Sequence, residues 1–415
     1  MRTLIVHGHL YTVSSEGASP LRGPQLGTYP ILEDGVILIE DGIIHYVGDL
    51  AHVPNRPIDT TIDAQGQAVI PGFVDCHTHL PFAGWRVDEY RARLAGLSYE
   101  ALSQQDGGIR YSSRQFHNAS DDDLLAMTRS LLYESLAWGT TTLEMKTGYG
   151  LTVAQEWRAL QLIQQLQAES LVRISATGLF LHAVPPNYTA DQWAHEVLAQ
   201  LWPQLMSSPS PLISAVDVFV ERTTFTPAQV RPLLQAAQDA GFLIRLHTDQ
   251  FSSIGGVEVG LAYKARGLDH LEALRAEEVE AVARSTSTAV LLPTAAFYAN
   301  SQHQGPARAI IDAGGAVALA TDFNPGTSPV NNLPTVIALA VNQLRLSPEE
   351  ALAASTLNAA HVLGLDSQVG SLTAGKVADI LILDSPDIAS IAYRLGHNPI
   401  KTVIQNGTVV EAPLK

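Results

Sequence analysis

The sequence predicts an α/β protein: a (β/α)8 TIM-like barrel carrying a small β-sandwich domain built from both termini. Three observations predict it. The middle of the chain alternates strand and helix roughly eight times over roughly 300 residues, the signature of such a barrel. The two ends are rich in short strands and poor in helix. Ligand-type side chains recur at the ends of successive strands, where barrel enzymes keep their active sites. At 415 residues the chain is too long for one small core and long enough for a barrel with an accessory domain.

The N-terminal module reads as strands over 3–6, 36–40, 43–47 and 61–64, with Asp34-Gly35 and Asp41-Gly42 as hairpin-type turns and a Gly-, Pro- and Ser-rich loop over 14–29. The C-terminal end has the same character. Strands are expected over 378–383, 402–405 and 408–410, with Asn406-Gly407 as a further turn. The expected division is therefore 1–66 with 364–415 as one discontinuous domain, and 67–363 as the barrel. Barrel strands are expected over 69–76, 141–146, 172–180, 215–220, 243–247, 267–270, 289–293 and 316–321. Helical patterns lie between and after them, over 121–138, 154–169, 190–205, 227–240, 306–313 and 351–363. Ser120 before an acidic first turn and Thr226 before Pro227 are N-cap signals. An open doubly wound sheet is the competing architecture, but the chain lacks the glycine fingerprints of nucleotide binding that would support it.

Apolar residues make up 46% of the chain and charged residues 16%, as in a well-packed globular protein. The net charge of −16 opposes non-specific binding to nucleic acid or anionic membrane. Cys76 is the single cysteine, so no intramolecular disulfide can form. No stretch has the character of a signal peptide or a membrane span. A cytoplasmic protein with a small-molecule substrate and no nucleic-acid or membrane partner is expected. Apolar helical faces on barrels commonly pair, which leaves a homodimer open.

The expected strand over 69–76 runs into Asp75-Cys76-His77-Thr78-His79. Alternate residues of an extended chain share a face, so His77 and His79 point the same way and Cys76 points away as a buried apolar residue. A bare His-x-His is equally consistent with ordinary histidines. Later strand ends alter that balance. They carry Lys146-Thr147-Gly148-Tyr149-Gly150, His182, His247-Thr248-Asp249-Gln250, Asp269-His270 and Thr321-Asp322-Phe323-Asn324-Pro325-Gly326-Thr327. Neutral imidazoles with one carboxylate hold a divalent metal and leave a position for water, whose pKa the metal lowers toward about 7. An ionised Asp can both bind the metal and accept the water's proton. The chemistry this donor set suits is hydrolysis assisted by one metal, and zinc and iron both suit it.

These motifs resemble the amidohydrolase superfamily and, within it, the imidazolonepropionase family over nearly the whole chain. The resemblance rests on 73–86, on Gly107-Gly108-Ile109, on 146–151, on His182-Ala183-Val184-Pro185-Pro186, on 247–250, on 320–327 and on 398–403. It implies a (β/α)8 barrel with a β-sandwich and hydrolysis of 4-imidazolone-5-propanoate to N-formimidoyl-L-glutamate in histidine breakdown. It further implies His77, His79, His247 and Asp322 as metal ligands, and Arg86, Tyr149, His182, Gln250, Asn324, Gly326 and Thr327 as substrate contacts. Asp322, His270, His182 and Gln250 are the groups expected nearest the chemistry. Arg86 offers a planar fork suited to a carboxylate tail. Two departures stand out. Gln250 occupies a position where some members have Glu, and an amide cannot be a general acid or base. Val220 stands where Cys is common, a packing change. The match around Lys146 argues against a carbamylated lysine bridging two metals. The competing readings are a metal-dependent aminohydrolase of a purine- or pyrimidine-like ring and a non-catalytic ligand-binding barrel.

Overall fold

A computed structural model describes residues 1–14, 17, 19–97 and 107–410. The loop expected over 14–29 lies partly outside these residues; its described part includes a 3-10 turn over Gly23–Gly27. The strands, in chain order, are β1 (Arg2–Tyr11), β2 (Ile31–Glu40), β3 (Ile43–Gly48), β4 (Thr60–Asp63), β5 (Ala68–Pro71) and β6 (Phe73–Asp75). They continue as β7 (Thr140–Lys146), β8 (Arg173–Leu181), β9 (Ala215–Val220), β10 (Leu243–Thr248), β11 (Gly267–His270), β12 (Thr288–Leu291) and β13 (Ala316–Leu319). The last three are β14 (Ile380–Leu383), β15 (Ile400–Gln405) and β16 (Thr408–Val409).

Among the described residues these strands form two sheets. β6 to β13 lie side by side in sequence order, and every neighbouring pair is parallel. Each of β7, β9, β11, β12 and β13 is buried along its whole length, as expected for strands covered on both faces. The seam between β6 and β13 is joined by a Thr78–Phe323 bridge and by the Asp75 carboxylate. That carboxylate accepts Thr321 N–H at 3.1 Å and Thr321 Oγ–H at 2.6 Å. The second sheet is mixed and draws β1–β5 and β14–β16 from the two ends of the chain. It has an apolar core of its own, including Ile5, Ile37, Ile39, Val69, Ile380 and Ile404. Ala68, Ile70, Leu381 and Leu383 pack instead with the barrel cluster.

Among the strands and turns, three local expectations change. The single strand expected over 69–76 is two strands. Gly72 donates to the Asp379 carbonyl of the terminal sheet at 2.8 Å, and the next residue begins β6 in the barrel. A Cβ on Gly72 would lie 2.2 Å from Thr141 Oγ1, so the crossing point between the sheets has room only for glycine. His77 and His79 therefore follow a three-residue strand. Asp34-Gly35 does not turn the chain. Both residues lie inside β2, where the register against β1 shifts at Gly8–Gly35 and Asp34 has φ 51°. Asp41-Gly42 and Asn406-Gly407 do form turns, with φ of 48° and 82° in the first pair and 49° and 75° in the second. The expected strand over 289–293 ends at Leu291, and Pro293 opens the helix Pro293–Tyr298.

The caps behave as their chemistry dictates. Ser120 accepts Asp123 N–H, and Gln229 Oε1 reaches back to accept Thr226 N–H at 2.9 Å. The helix expected over 190–205 runs as Ala190–Glu196 and Trp202–Met206 joined by a π turn. The helix expected over 351–363 is broken into Pro348–Ala354 and Leu357–Val362.

Candidate active site

Strand ends bring the predicted residues together. His77 and His79 follow β6, His182 follows β8, His247 lies in β10, His270 ends β11 and Asp322 follows β13. Asp249, His270, Leu271 and Asp322 all have positive φ, between 53° and 84°. Backbone held this way in non-glycine residues costs on the order of 1–3 kcal/mol each and persists where surrounding structure over-determines it.

His77 Nε2 lies 3.2 Å from His79 Nε2, which lies 3.3 Å from His247 Nε2. Asp322 Oδ1 lies 3.1 Å from His79 Nε2 and 3.5 Å from His77 Nε2. Ligands bonded to a divalent metal at about 2.0–2.1 Å in a tetrahedron stand about 3.3–3.4 Å apart. The donors therefore already have the spacing of a metal-ligand set. Burial, reinforced by the nearby Lys146 ammonium, drives the His77 and His79 pKa values far below the usual histidine range. Burial does the same to His182 and His247. All are neutral imidazoles at neutral pH, as ligands must be.

Beneath them lies a charged floor that sequence reasoning missed. His77 Nδ1–H donates to Asp269 Oδ2 at 2.7 Å, and His247 Nδ1 faces Asp217 Oδ2 at 3.0 Å. Each ring thus directs Nε2 inward, the usual orienting device of metal-binding histidines. Lys146 Nζ is bracketed by Glu144 Oε2 at 2.6 Å and Asp217 Oδ2 at 2.8 Å. Arg245 pairs with Glu144 at 2.6 Å and with Asp269 at 2.5 Å, and it donates to the Cys76 carbonyl. All these charged side chains are fully buried. Burial and Arg245 oppose the Lys146 charge, but Asp217, Glu144 and Asp269 outweigh them and raise its pKa. A usable signal was present in the sequence. Glu144 with Lys146, and Arg245 with His247, stand two apart in strands that carry no other charged residue, so each pair shares a face. Cys76 is fully buried and packs with Val74, Val290 and Ala318, away from the histidines.

Above the donor set is a small pocket open to solvent. His79, Arg86, Tyr149, His182, Gln250, His247, His270, Asp322, Asn324 and Thr327 all line it, together with Ile109 and Phe219, which were not anticipated. His77 sits behind this wall. Burial raises Asp322 above the usual carboxylate range, against the pull of His270 and His247. Burial lowers His270, but Glu272 at 3.6 Å and Asp322 outweigh it, and its pKa ends raised.

Arg86 is only 5% exposed, yet its Nε and Nη1 hydrogens meet no hydrogen-bond acceptor among the described residues. Its nearest carboxylate, Glu89 Oε2, is 3.6 Å from Nε. Buried guanidinium donors without acceptors are costly, and an anionic ligand relieves that cost. The guanidinium rests on Gly326, where a Cβ would lie 1.5 Å from Nη2. Gly326 does not itself line the pocket; it lies in the adjoining depression with Trp85 and Pro325, and seats Arg86 by what it lacks. Asn324 organises the same loop. Its Oδ1 accepts Gly326 N–H at 2.9 Å and Thr327 N–H at 2.7 Å, while its amide donates to the Asp322 carbonyl at 2.6 Å.

An eight-stranded parallel barrel with a histidine–aspartate donor set at its strand ends defines an amidohydrolase-type hydrolase. The model of the amidohydrolase family matches residues 218–410. The chain is 42% identical to the imidazolonepropionase of Rubrobacter xylanophilus over 98% of both chains. It is 39% identical to that of Herpetosiphon aurantiacus, over 94% of this chain and 93% of the other. Among solved structures, E. coli guanine deaminase superposes with a TM-score of 0.73 at 19% identity, covering 99% of this chain and 100% of that one. A zinc complex of atrazine chlorohydrolase from Arthrobacter aurescens superposes with a TM-score of 0.72 at 18% identity, covering 98% and 94%. These two likenesses concern the fold alone. The full-length relatives are more specific: this chain belongs to the imidazolonepropionase family. No helix among the described residues is long and apolar enough to cross a membrane.

Proposed function

We propose that the chain hydrolyses the cyclic amide bond of 4-imidazolone-5-propanoate to N-formimidoyl-L-glutamate, with one divalent metal, zinc or iron, held by His77, His79, His247 and Asp322. The observation that carries this reading is the pairing of two features in one pocket. A neutral imidazole–carboxylate donor set lies at its base, and a buried arginine with open donors lies at its side. The first suits hydrolysis and the second suits a substrate with a carboxylate tail.

A divalent metal bound there supplies Lewis acidity and lowers the pKa of water toward about 7. The remaining roles belong to the chain. Arg86 binds the propionate group, on a surface that the Asn324-organised loop keeps flat. Tyr149, His182 and Gln250 orient the ring. Gln250 hydrogen-bonds but transfers no proton, so the Asp322 carboxylate takes the proton of the attacking water and returns it to the departing ring nitrogen, with His270 beside it. Lys146 is an ammonium held by two carboxylates, which supports a site for one metal. A bridging carbamate requires a neutral amine, and this one is kept protonated. A cytoplasmic, small-molecule enzyme without nucleic-acid or membrane partners accords with the −16 charge.

The purified protein, loaded with zinc or iron and assayed for formation of N-formimidoyl-glutamate, should turn over imidazolone propionate. Absence of product at stoichiometric metal would refute the proposal. Release of ammonia from a purine or pyrimidine panel would move the chain to the aminohydrolases.

A further inference from the structure

Glu156 is a completely buried carboxylate outside the donor set and outside the pocket lining. It lies in the first turn of the helix Val153–Glu169. Its partners lie in the loop that precedes this helix: the Thr147 hydroxyl and a set of backbone N–H groups. Oε2 accepts Gly148 N–H at 3.0 Å and Oε1 accepts Leu151 N–H at 2.9 Å. The 147–151 loop is thus wrapped around one carboxylate, with backbone donors converging on it as in an anion-binding nest.

The loop's geometry leads back to the pocket. Gly148 has φ 114°, where a side chain is strained, and its carbonyl accepts His182 Nδ1–H at 3.0 Å. A carbonyl can only accept, so His182 carries its proton on Nδ1 and leaves the Nε2 lone pair for the pocket. Tyr149 follows directly, its ring 5.5 Å from that of His182, and His182 in turn stacks on His79 at 5.1 Å. Spacing is tight throughout: a Cβ on Gly150 would lie 2.4 Å from Glu156 N, and one on Gly148 would lie 2.9 Å from His182 Nδ1. The chain of contacts Glu156–Gly148–His182 therefore has little slack.

We propose that Glu156 is a positioning residue for the reaction: acting through Gly148, it holds His182 as the Nδ1–H tautomer and fixes the Tyr149–His182 wall against which the substrate ring is oriented. The part concerning the ring rests on the function proposed above. The part concerning the tautomer does not. Burial also pushes the Glu156 carboxyl up to about 7, against the loop donors that favour its ionised form. The helix thus tolerates a poorly solvated acid at the one place where the loop needs an acceptor.

The test uses full-length, metal-loaded protein labelled with 15N-histidine, the His182 resonances being assigned by their loss in His182→Gln. In the wild type the proton should sit on Nδ1. A proton on Nε2 overturns the proposal without any variant. In Glu156→Gln the amide keeps one acceptor but presents an N–H to the loop. The His182 signal should shift or broaden, with metal content unchanged. KM for imidazolone propionate should rise about tenfold, the equivalent of one lost interaction of about 1.4 kcal/mol. Glu156→Asp, which keeps the charge but withdraws it by one methylene, should fall between the two. Glu169→Gln, on the exposed end of the same helix, should match the wild type in both readouts. A folded Glu156→Gln with unaltered His182 resonances and KM overturns the proposal. If the wild type turns over no imidazolone propionate, the proposed function fails while the tautomer readout still judges Glu156.

Discussion

Gly326→Ala is the smallest change that should remove carboxylate recognition. The backbone at Gly326 is not in the left-handed region, so alanine imposes no conformational strain there. What it imposes is volume. Its Cβ would lie 1.5 Å from Arg86 Nη2 and 1.9 Å from both Cζ and Nε, far inside van der Waals contact with three guanidinium atoms. The guanidinium is a rigid plane, so the whole fork must leave its seat. Its neighbours Pro325 and Asn324 are held by Arg86 N–H at 2.9 Å and by the Asn324 hydrogen bonds, so the loop cannot yield instead. A hydrogen bond to a charged group is worth about 1.5–3 kcal/mol, so losing the Arg86 fork should raise KM about 10- to 150-fold. Steady-state kinetics on metal-loaded protein reads this, with thermal unfolding and metal content as controls. Inhibition by imidazole propionate should weaken in parallel, whereas 4-ethylimidazole, which lacks the carboxylate, should bind as before. The decisive measurement is the double-mutant cycle with Arg86→Ala. If Gly326 acts by seating Arg86, the double variant is no worse than Arg86→Ala alone. Additive losses, or a Gly326→Ala KM within twofold of wild type, would refute the reasoning.

Two further outcomes are expected. Lys146→Met should leave the buried Glu144 and Asp217 carboxylates facing each other without their shared cation, costing about 3–5 kcal/mol in urea unfolding of the metal-loaded protein; an unchanged midpoint would show that the floor network is not what holds these acids. Lys376 is lowered from 10.5 to about 8, by burial against a weaker pull from Asp366. Between those values the unfolded chain keeps a proton that the folded chain has lost, so wild-type stability rises with pH across this window. Lys376→Gln lacks that rise, and its stability relative to wild type should therefore be greatest below pH 8 and decline toward pH 10.5. A pH-independent difference would contradict the direction.

Much of the site was legible because its ligands announce themselves locally. His247 and His270 lie at the ends of barrel strands, and His77-Thr78-His79 and Asp322 follow theirs within a few residues, so the alternation of apolar strands locates all of them at one end of the barrel. The barrel followed from the same alternation. What was not legible depends on partners distant in sequence. His77 finds Asp269 across 192 positions and Asp75 finds Thr321 across 246. Asp34-Gly35 misled because a turn dipeptide and a bulge have the same composition, and only pairing with β1 distinguishes them. The apolar run 69–76 misled because a chain passing from one buried sheet into another stays apolar throughout. Only the constriction at Gly72 against Thr141 marks the crossing.

The sequence by itself determined the architecture, the order of the strand ends and the pool of ligand-type side chains carried there, since periodicity and residue chemistry are local properties; the four proposed ligands were singled out from that pool by the family resemblance. Tertiary structure decided which way each imidazole faces, why Gly326 must be glycine and what Glu156 holds. Those are questions of which atoms lie within about 3 Å of one another, the reach of a hydrogen bond. Buried charges such as Lys146, Arg245 and Glu156 are tolerated only by the partners that closure of the barrel brings to them.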